Sequence, residues 1–485
     1  MNTDNGASSS VWMATADSIP VPALTTDVTT DVCIVGAGIA GLTTAYLLAR
    51  EGRQVVVLDD GPIAGGETCR TTAHLVNALD DRYYDLEKLF GEKGARLAAE
   101  SHTAAVDRIE EIVRTESIDC DFIRLDGYLF LAPGGNESTL DRELEAARRA
   151  GLPGIEKIGR VPAASFDTGP CLRFPRQAQF HPLKYLRSVA EAFRRAGGQL
   201  FADTHVSHVE GGKSAVVKTS GGATVSARTA IVVATNSPVN DLVAIHTKQA
   251  PYRTYVIGAR IPRGSVPAML LWDTADPYHY VRIQAGGDHD ILIVGGEDHK
   301  TGQANDASHR YLHLEHWTRE RFPMIERIDF RWSGQVMEPV DGLAFIGRNP
   351  MDADNVFIAT GDSGNGMTHG TIAGMLLTDL IAGRPNPWAD LYDPSRISKS
   401  LQSIRAFASE NLNVAAQYAD LVTGGDVSSV DDIGPGTGAV IRRGLRKIAV
   451  FRDDSGTLHE RTAICPHLGC VVAWNSGERT WDCPC

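Results

Sequence analysis

The sequence lacks a long hydrophobic run: none of its apolar stretches reaches the roughly 18 residues that a membrane-spanning helix needs. Its N-terminus, MNTDNGASSSVWMATADS, contains neither a basic residue nor an apolar core, so it is neither a secretory signal nor a twin-arginine signal. The net charge of −13 argues against nucleic acid or an anionic membrane as the main partner. These absences predict a cytoplasmic protein without a membrane span.

Cysteine is scarce over most of the chain and crowded at its end. Four cysteines are scattered over the first 464 residues: Cys33, Cys69, Cys120 and Cys171. The last 21 residues hold the other four, which are Cys465, Cys470, Cys483 and Cys485. In a cytoplasmic chain this crowding favours a metal site over a scaffold of structural disulfides.

A strand, a glycine-rich turn, a helix and a second strand follow one another between residues 31 and 60. The turn carries Gly36, Gly38 and Gly41 with the spacing G-x-G-x-x-G. In such a turn the first glycine allows the tight bend, the second lets a pyrophosphate approach the backbone, and the third lets the helix pack on the strand. Asp59 ends the second strand, where a carboxylate can accept hydrogen bonds from ribose hydroxyls. The unit predicts a dinucleotide-binding fold without distinguishing FAD from NAD.

The patterns of hydrophobic residues and glycines divide the rest of the chain into segments. Residues 250–300 alternate in hydrophobicity as in an antiparallel sheet, and residues 355–360 form a buried strand that runs into the glycine-rich stretch 361–370. Residues 424–438 contain five glycines and form a linker. Short strands follow, which predicts a small all-β module beginning near residue 438.

On these segments the chain resembles the glycine oxidase/D-amino acid oxidase superfamily of FAD-dependent oxidoreductases, over about residues 30–385. The resemblance rests on the fingerprint, on Asp59 and on four further stretches: DGYLFLA (126–132), HPLKYLRSVAEAFRRAGGQLFADTHVSHVE (181–210), ARTAIVVATN (227–236) and GDSGNGMTHGTIAGMLLTDLI (361–381). The terminal CPHLGC and WDCPC resemble a Rieske iron–sulfur domain. The combination resembles bacterial FAD oxidoreductases with a C-terminal Rieske domain.

The resemblance implies an α/β fold: a Rossmann-like FAD-binding domain with an inserted mixed-sheet substrate domain, plus a small all-β Rieske domain at the C-terminus. The expected division is a lead-in at 1–29, an oxidoreductase at 30–394 whose FAD-binding parts lie at about 30–80, 180–240 and 335–385, a helical segment and linker at 395–437, and an incomplete Rieske domain at 438–485.

The resemblance also implies roles for single residues around FAD. Gly36, Gly38 and Gly41 would hold the pyrophosphate, Asp59 the adenosine ribose, and Val206 the adenine; Arg70 and Thr71 would lie beside the flavin, and Gly361, Gly366, Met367 and Thr368 would close under the isoalloxazine. Some members attach the flavin covalently to a histidine in the loop that here contains Arg70 and His74, so the mode of attachment stays open.

A Rieske cluster takes two cysteines and two histidines from a C-x-H and a C-x-x-H loop. By the resemblance, Cys465, His467 and Cys483 would be three of these ligands, and the fourth, a histidine, would follow Cys485. We therefore expect this sequence to be a truncated record or fragment; the alternative is a natural chain with a dead cluster. Cys470 and Cys485 match the pair that forms a disulfide in high-potential Rieske proteins. A four-cysteine zinc site is the competing interpretation.

The expected reaction is oxidation of a small amine, amino acid or related metabolite at a C–N or C–O bond. Electrons would pass from flavin to the cluster and then to an acceptor that the sequence does not identify. Arg282 is the candidate anchor for a substrate carboxylate, Arg253 and Arg260 share the same pattern, and an exposed cation on a strand is the alternative for each. Other interpretations are an electron-transfer component without a small substrate, a redox sensor that keeps FAD structurally, and an NAD-dependent dehydrogenase.

Overall fold

The structure is a computed structural model that describes residues 6–162, 164–240, 245–396, 413, 416–466 and 469–484. Within these ranges, no helix combines the length and hydropathy needed to cross a bilayer. The predicted helical segment after residue 395 falls largely outside the described residues, as do His467 and Cys485.

The described α-helices are α1 (Val11–Thr15), α2 (Ile39–Arg50), α3 (Tyr83–Thr115), α4 (Glu137–Arg149), α5 (Pro182–Arg195), α6 (Ala307–Arg321), α7 (Gly366–Ile381) and α8 (Ala389–Tyr392). The described strands are β1 (Val28–Val35), β2 (Val55–Leu58), β3 (His74–Leu75), β4 (Ile123–Phe130), β5 (Glu156–Ile158), β6 (Cys171–Gln179), β7 (Gln199–Phe201), β8 (Val206–Glu210), β9 (Val216–Thr219), β10 (Thr224–Val233), β11 (Gln249–Pro262), β12 (Leu270–Asp273), β13 (Tyr280–Gln284), β14 (His289–Lys300), β15 (Arg327–Pro339), β16 (Phe345–Arg348), β17 (Val356–Thr360), β18 (Thr437–Arg443), β19 (Arg446–Arg452), β20 (Leu458–Thr462), β21 (Ala473–Asn475) and β22 (Thr480–Asp482).

The first sheet has the order β16-β17-β10-β1-β2-β7, with β9 and β8 attached beside β10. Strands β17, β10, β1, β2 and β7 run parallel to their neighbours, and β16 lies antiparallel at the edge. The second half of β1, residues 32–35, and the whole of β2 are apolar and buried, as expected for parallel strands covered on both faces. Their carboxyl ends therefore meet at one edge of the sheet, beside the glycine-rich turn.

Two helices cover this edge because small residues let them approach closely. A Cβ on Gly41 of α2 would lie 1.9 Å from the Gly36 carbonyl oxygen, and one on Gly370 of α7 would lie 2.6 Å from Ile39 Cγ2. A Cβ on Gly374 would likewise meet Thr43 at 2.4 Å. The N-termini of α2 and α7 are thus held side by side at the end of β1.

The second sheet has the order β15-β11-β14-β13-β12-β4-β6-β3, with β5 beside β6, and is mixed because β4 and β12 are parallel. Strand β11 pairs along nearly its whole length with both β14 and β15. This sheet faces the edge where β1 and β2 end, so the space between the sheets becomes the candidate site.

Residues 437–484, here called the C-terminal module, form the antiparallel sheet β18-β19-β20 and the hairpin β21-β22. The turn around Cys465 is closed by hydrogen bonds from the Cys465 amide to the Cys470 carbonyl (2.9 Å) and from the Gly469 amide to the Cys465 carbonyl (3.0 Å). At the other end of the chain the predicted lead-in contains α1, whose Trp12 is completely buried.

Candidate active site between the two sheets

One cavity of about 860 Å³ opens between the two sheets and the N-termini of α2 and α7. This volume lies near the upper end of the range for small-molecule sites, roughly 300–1,000 Å³. Nine of the residues predicted to contact FAD line it: Gly36, Gly38, Asp59, Arg70, Thr71, Val206, Gly361, Gly366 and Met367.

Two predicted residues, Gly41 and Thr368, do not line the cavity. Gly41 packs against Gly36, as its predicted role in helix packing requires. The Thr368 hydroxyl is buried and lies 2.9 Å from His102 Nδ1 and 3.1 Å from the Asn365 carbonyl oxygen to which it donates. Thr368 therefore supports the first turn of α7 from behind.

The glycine-rich end of the cavity has the properties of an anion site. Gly38 caps α2 without a side-chain hydrogen bond, and Gly38, Ile39 and Ala40 line the cavity. A Cβ on Gly38 would meet the Thr68 hydroxyl at 3.0 Å, and the same hydroxyl accepts a hydrogen bond from the Ile39 amide (3.2 Å). The N-terminus of a helix also carries a positive partial charge and further amide hydrogens that a ligand can use.

Asp59 stands at the end of β2 beside this turn. Its carboxylate accepts hydrogen bonds from the amides of Ala37 (2.6 Å) and Gly61 (3.1 Å). Burial raises its pKa to about 6, and the two amide hydrogen bonds oppose that shift. Because a carboxylate can accept about four hydrogen bonds, positions remain for ribose hydroxyls. The N-terminus of α2 and the Asp59 carboxylate together provide the partial charge and the hydrogen-bond acceptors that fit a dinucleotide such as FAD.

The second helix N-terminus approaches the cavity from the other side. The Asn365 side chain donates to the Ser363 carbonyl (2.9 Å) and does not cap the first turn of α7, and Asn365, Gly366 and Met367 line the cavity. Behind them His369 Nδ1 lies 2.8 Å from the Asp362 carbonyl oxygen, and its Nε2 lies 3.2 Å from Nε2 of His102. Burial lowers the pKa of His369 to about 4 and that of His102 well below its usual value, so both rings are neutral at pH 7.

Arg70 lines the cavity, but its guanidinium points into a joint with the C-terminal module. Nη1 donates to the carboxylate of Glu478 (3.2 Å), to the Ser333 carbonyl (2.9 Å) and to the Ser8 hydroxyl (2.9 Å). Nη2 donates to the Gly6 carbonyl (3.0 Å). The side chains of Arg70 and Glu478 are both 1% exposed.

Glu478, in the turn of the hairpin β21-β22, is the centre of this joint. Besides Arg70, it accepts hydrogen bonds from the amide and hydroxyl of Ser8 (3.0 and 2.6 Å) and from those of Ser333 (3.0 and 2.5 Å). A second buried pair lies nearby, where Arg253 Nη2 donates to Asp482 at 3.0 Å. Two buried ion pairs therefore hold the hairpin, one to the turn at residues 67–70 and one to strand β11 of the second sheet.

This docking brings the C-terminal module into the cavity wall. Thr480, Trp481, Asp482 and Cys483 line the same cavity as the glycine-rich turn. The thiols of Cys465 and Cys483 are partly exposed. Among the described residues no group of three or more His, Cys, Asp or Glu side chains is arranged to hold a metal ion. Cys470 is buried and Cys485 is not described, so their predicted disulfide stays a prediction.

Sequence reasoning did not find the carboxylates of the cavity. Asp80, Asp81, Asp298, Glu338 and Asp362 line it. The Tyr278 hydroxyl donates to Asp80 at 2.6 Å, and the Ser363 hydroxyl lies 3.0 Å from Asp81 and 2.9 Å from Glu338. Burial raises the pKa of Asp80 to about 7 and those of Asp298 and Asp362 to about 6. Apart from the adjacent Asp80 and Asp81, they are far apart in the sequence, so no motif marks them.

Arg282 is not among the residues that line the cavity. Its fully buried guanidinium donates to the carbonyls of Thr72 (3.1 Å), Ala73 (2.9 Å) and Phe180 (3.0 Å), and to Gln284 Oε1 (2.8 Å). Its Cζ also lies 5.0 Å from the centre of the Trp12 ring. In this position Arg282 supports the loop that includes Thr71, and it is not available to a substrate carboxylate or exposed as the alternative supposed.

We expect Arg282→Met to lower the free energy of unfolding by about 2–3 kcal/mol, because three buried carbonyls lose a charged donor. Denaturant titration measures this effect. Arg263→Met, which removes an exposed arginine bonded at 3.1 Å to one carbonyl, is the control and should change stability by less than about 0.5 kcal/mol. A stable Arg282→Met protein with weakened substrate binding would restore the anchor role.

A family model described as FAD dependent oxidoreductase matches residues 31–380. A protein of Bacillus subtilis (strain 168) named as a Rieske 2Fe-2S iron-sulfur protein, YhfW, is 32% identical over 478 residues, which are 98% of this chain and 92% of that protein. Gamma-glutamylputrescine oxidoreductase of Escherichia coli (strain K12) is 29% identical over 392 residues, 77% of this chain and 89% of that enzyme.

Two further similarities concern the parts of the chain. Over 122 residues, 25% of this chain and 61% of the other, it is 32% identical to the cytochrome b6-f complex iron-sulfur subunit of Prochlorococcus marinus (strain NATL1A). The crystal structure of glycine oxidase from Geobacillus kaustophilus superimposes with a TM-score of 0.64 at 20% identity, over 76% of this chain and 99% of that one. The second similarity concerns the fold alone.

Proposed function

Because this chain belongs to the family of FAD dependent oxidoreductases, we propose that it oxidises a C–N bond of a small amine or amino acid and transfers the electrons to a 2Fe–2S cluster in its C-terminal module. Amine chemistry is supported by the similarity to gamma-glutamylputrescine oxidoreductase over 77% of the chain. The cluster is supported by the name of the relative that aligns over 98% of the chain. The observation that carries the proposal is that Cys483, a predicted cluster ligand, lines the same cavity as Arg70 and Thr71, which are predicted to lie beside the flavin.

The described residues that line the cavity fit FAD. Gly36, Gly38 and Asp59 would hold the pyrophosphate and ribose, and the N-terminus of α7 would face the flavin. Bound FAD would supply a hydride acceptor for the carbon next to the substrate nitrogen. In the module, Cys465, His467 and Cys483 would supply three of the four ligands of a Rieske cluster, which would carry one electron at a time.

Other residues would position the bound groups and enclose the cavity. The N-termini of α2 and α7 place positive partial charge beside the cavity, where it would stabilise a bound anion. The two buried ion pairs, Arg70–Glu478 and Arg253–Asp482, hold the hairpin in the cavity wall. With the wall formed by the C-terminal module, both redox sites would share one enclosure, which favours transfer within the chain over release of electrons to solvent oxygen.

The test is an absorption and EPR study of protein expressed from the gene with its native stop codon. Flavin absorption bands and, after reduction, the EPR signal of a Rieske cluster are expected. Addition of a substrate amine without oxygen should bleach the flavin and produce the same EPR signal. Cys483→Ser should abolish the signal and keep the flavin bands, whereas the matched change at buried Cys171 should leave both. Flavin bleached by amine without any cluster signal would limit the protein to amine oxidation alone.

A further inference from the structure

The described side chains that line the cavity include many more carboxylates than basic groups. Besides the acids beside the dinucleotide turn, its described lining includes five carboxylates near the loop at 361–366: Asp80, Asp81, Asp298, Glu338 and Asp362. None of the five forms a salt bridge with a described lysine or arginine. Asp298 Oδ1 is buried and has no hydrogen-bond partner among the described residues.

The two arginines of the described lining are committed to the C-terminal module. Arg70 is paired with Glu478 and Arg253 with Asp482, and all four side chains are at most 8% exposed. A substrate carboxylate could bind either arginine only by displacing a buried carboxylate of the module. Buried ion pairs resist this displacement because the displaced group would lose its partner without regaining water.

Aromatic rings complete the same part of the wall. Tyr278 and Tyr280 lie with their ring centres 5.4 Å apart, and Trp272 lines the cavity beside them. The Tyr280 hydroxyl lies 2.5 Å from that of Thr254, next to Asp298 in the lining. Aromatic faces and unpaired carboxylates are together the groups that bind an ammonium ion.

We propose that the docked C-terminal module sets the charge selectivity of the cavity, so that it accepts aliphatic diamines and excludes amines that carry a free carboxylate. By occupying Arg70 and Arg253, the module leaves a chamber of carboxylates and aromatic rings, with Asp80 and Asp298 as the acceptors for the two ammonium ends. This inference rests on the proposed amine oxidation and specifies its substrate class.

The experiment compares two substrates of equal length that differ in charge at one end. The full chain loaded with FAD is mixed without oxygen with 1,4-diaminobutane or with 4-aminobutanoate, and the bleaching of the flavin is followed against substrate concentration. We expect an apparent Kd at least tenfold lower for the diamine, a difference of about 1.4 kcal/mol. Equal or tighter binding of 4-aminobutanoate would overturn the inference.

The outcomes separate the inference from the function on which it rests. If glycine or 4-aminobutanoate bleaches the flavin and the diamine does not, amine oxidation stands and the charge selectivity is wrong. If no amine bleaches a flavin that dithionite reduces, both are wrong.

Variants add a second readout. Asp298→Asn should raise the apparent Kd for the diamine by roughly tenfold and leave that for 4-aminobutanoate nearly unchanged, whereas the matched change at Asp354, a side chain that is 96% exposed, should alter neither. If Asp298→Asn changes both Kd values equally, its carboxylate does not recognise the second ammonium group and the assignment fails.

Discussion

Replacing Glu478 with alanine should lower the free energy of unfolding by about 3–5 kcal/mol, the range for breaking a buried ion pair by removing one partner. The substitution would leave the Arg70 guanidinium, 1% exposed, without its carboxylate. It would also remove the acceptor for the amides and hydroxyls of Ser8 and Ser333. Denaturant unfolding measures the loss, and hydrogen exchange should show faster exchange in β21 and β22.

Glu460→Ala is the matched control within the same module. Glu460 also pairs with an arginine, Arg443, at 2.7 Å, but the two side chains are 36% and 50% exposed. Exposed pairs contribute about 0.2–1 kcal/mol, so this change should be several times weaker. Equal losses in the two variants would mean that the Arg70–Glu478 pair does not hold the module.

Gly36→Ala should remove FAD binding, with at least a roughly tenfold loss of bound flavin. Gly36 has a φ of +102°, and a Cβ there would lie 2.3 Å from the carbonyl oxygen of Ala234 on the neighbouring strand. The methyl group would push the turn away from the end of β10, and the amides at the start of α2 would move with the turn. Flavin absorbance per protein after purification gives the measurement.

Gly52→Ala separates this clash from ordinary backbone strain. Gly52 also has a positive φ, +82°, but a Cβ there meets nothing within 4 Å. This control should lose about 1 kcal/mol of stability and keep its flavin. If Gly36→Ala retained flavin as well as Gly52→Ala does, the glycine-rich turn would not be the pyrophosphate site.

The parts of the site that follow a local pattern could be predicted from the sequence. Gly36, Gly38 and Asp59 belong to one strand–helix–strand unit, and Gly361, Gly366 and Met367 lie between the end of β17 and the first turn of α7. The expected family is confirmed by the model that matches residues 31–380. Such patterns are readable because the residues that meet are close together in the chain.

The roles of the arginines could not be predicted, because their partners are distant in sequence. Arg70 meets Glu478 across 408 positions, and Arg253 meets Asp482 across 229. Arg282 lies on a strand of alternating residues, where a substrate anchor could be expected. The direction of its side chain, however, depends on the carbonyls at residues 72–73 and of Phe180, which only the fold brings together. The carboxylates of the cavity likewise converge from separate strands and loops.

The N-terminal segment affects how the C-terminal module could be transferred to another enzyme. Ser8 donates to Glu478 (2.6 Å), Ser10 Oγ donates to the Cys69 carbonyl (2.6 Å), and Trp12 Nε1 donates to the Thr71 carbonyl (2.6 Å), so residues 8–12 join the turn at residues 69–71 to the hairpin. A graft of residues 437–484 onto a related flavoenzyme would transfer Glu478 without the N-terminal residues that contact it. Residues 8–12 would have to be transferred together with the module for Glu478 to keep its hydrogen bonds from Ser8.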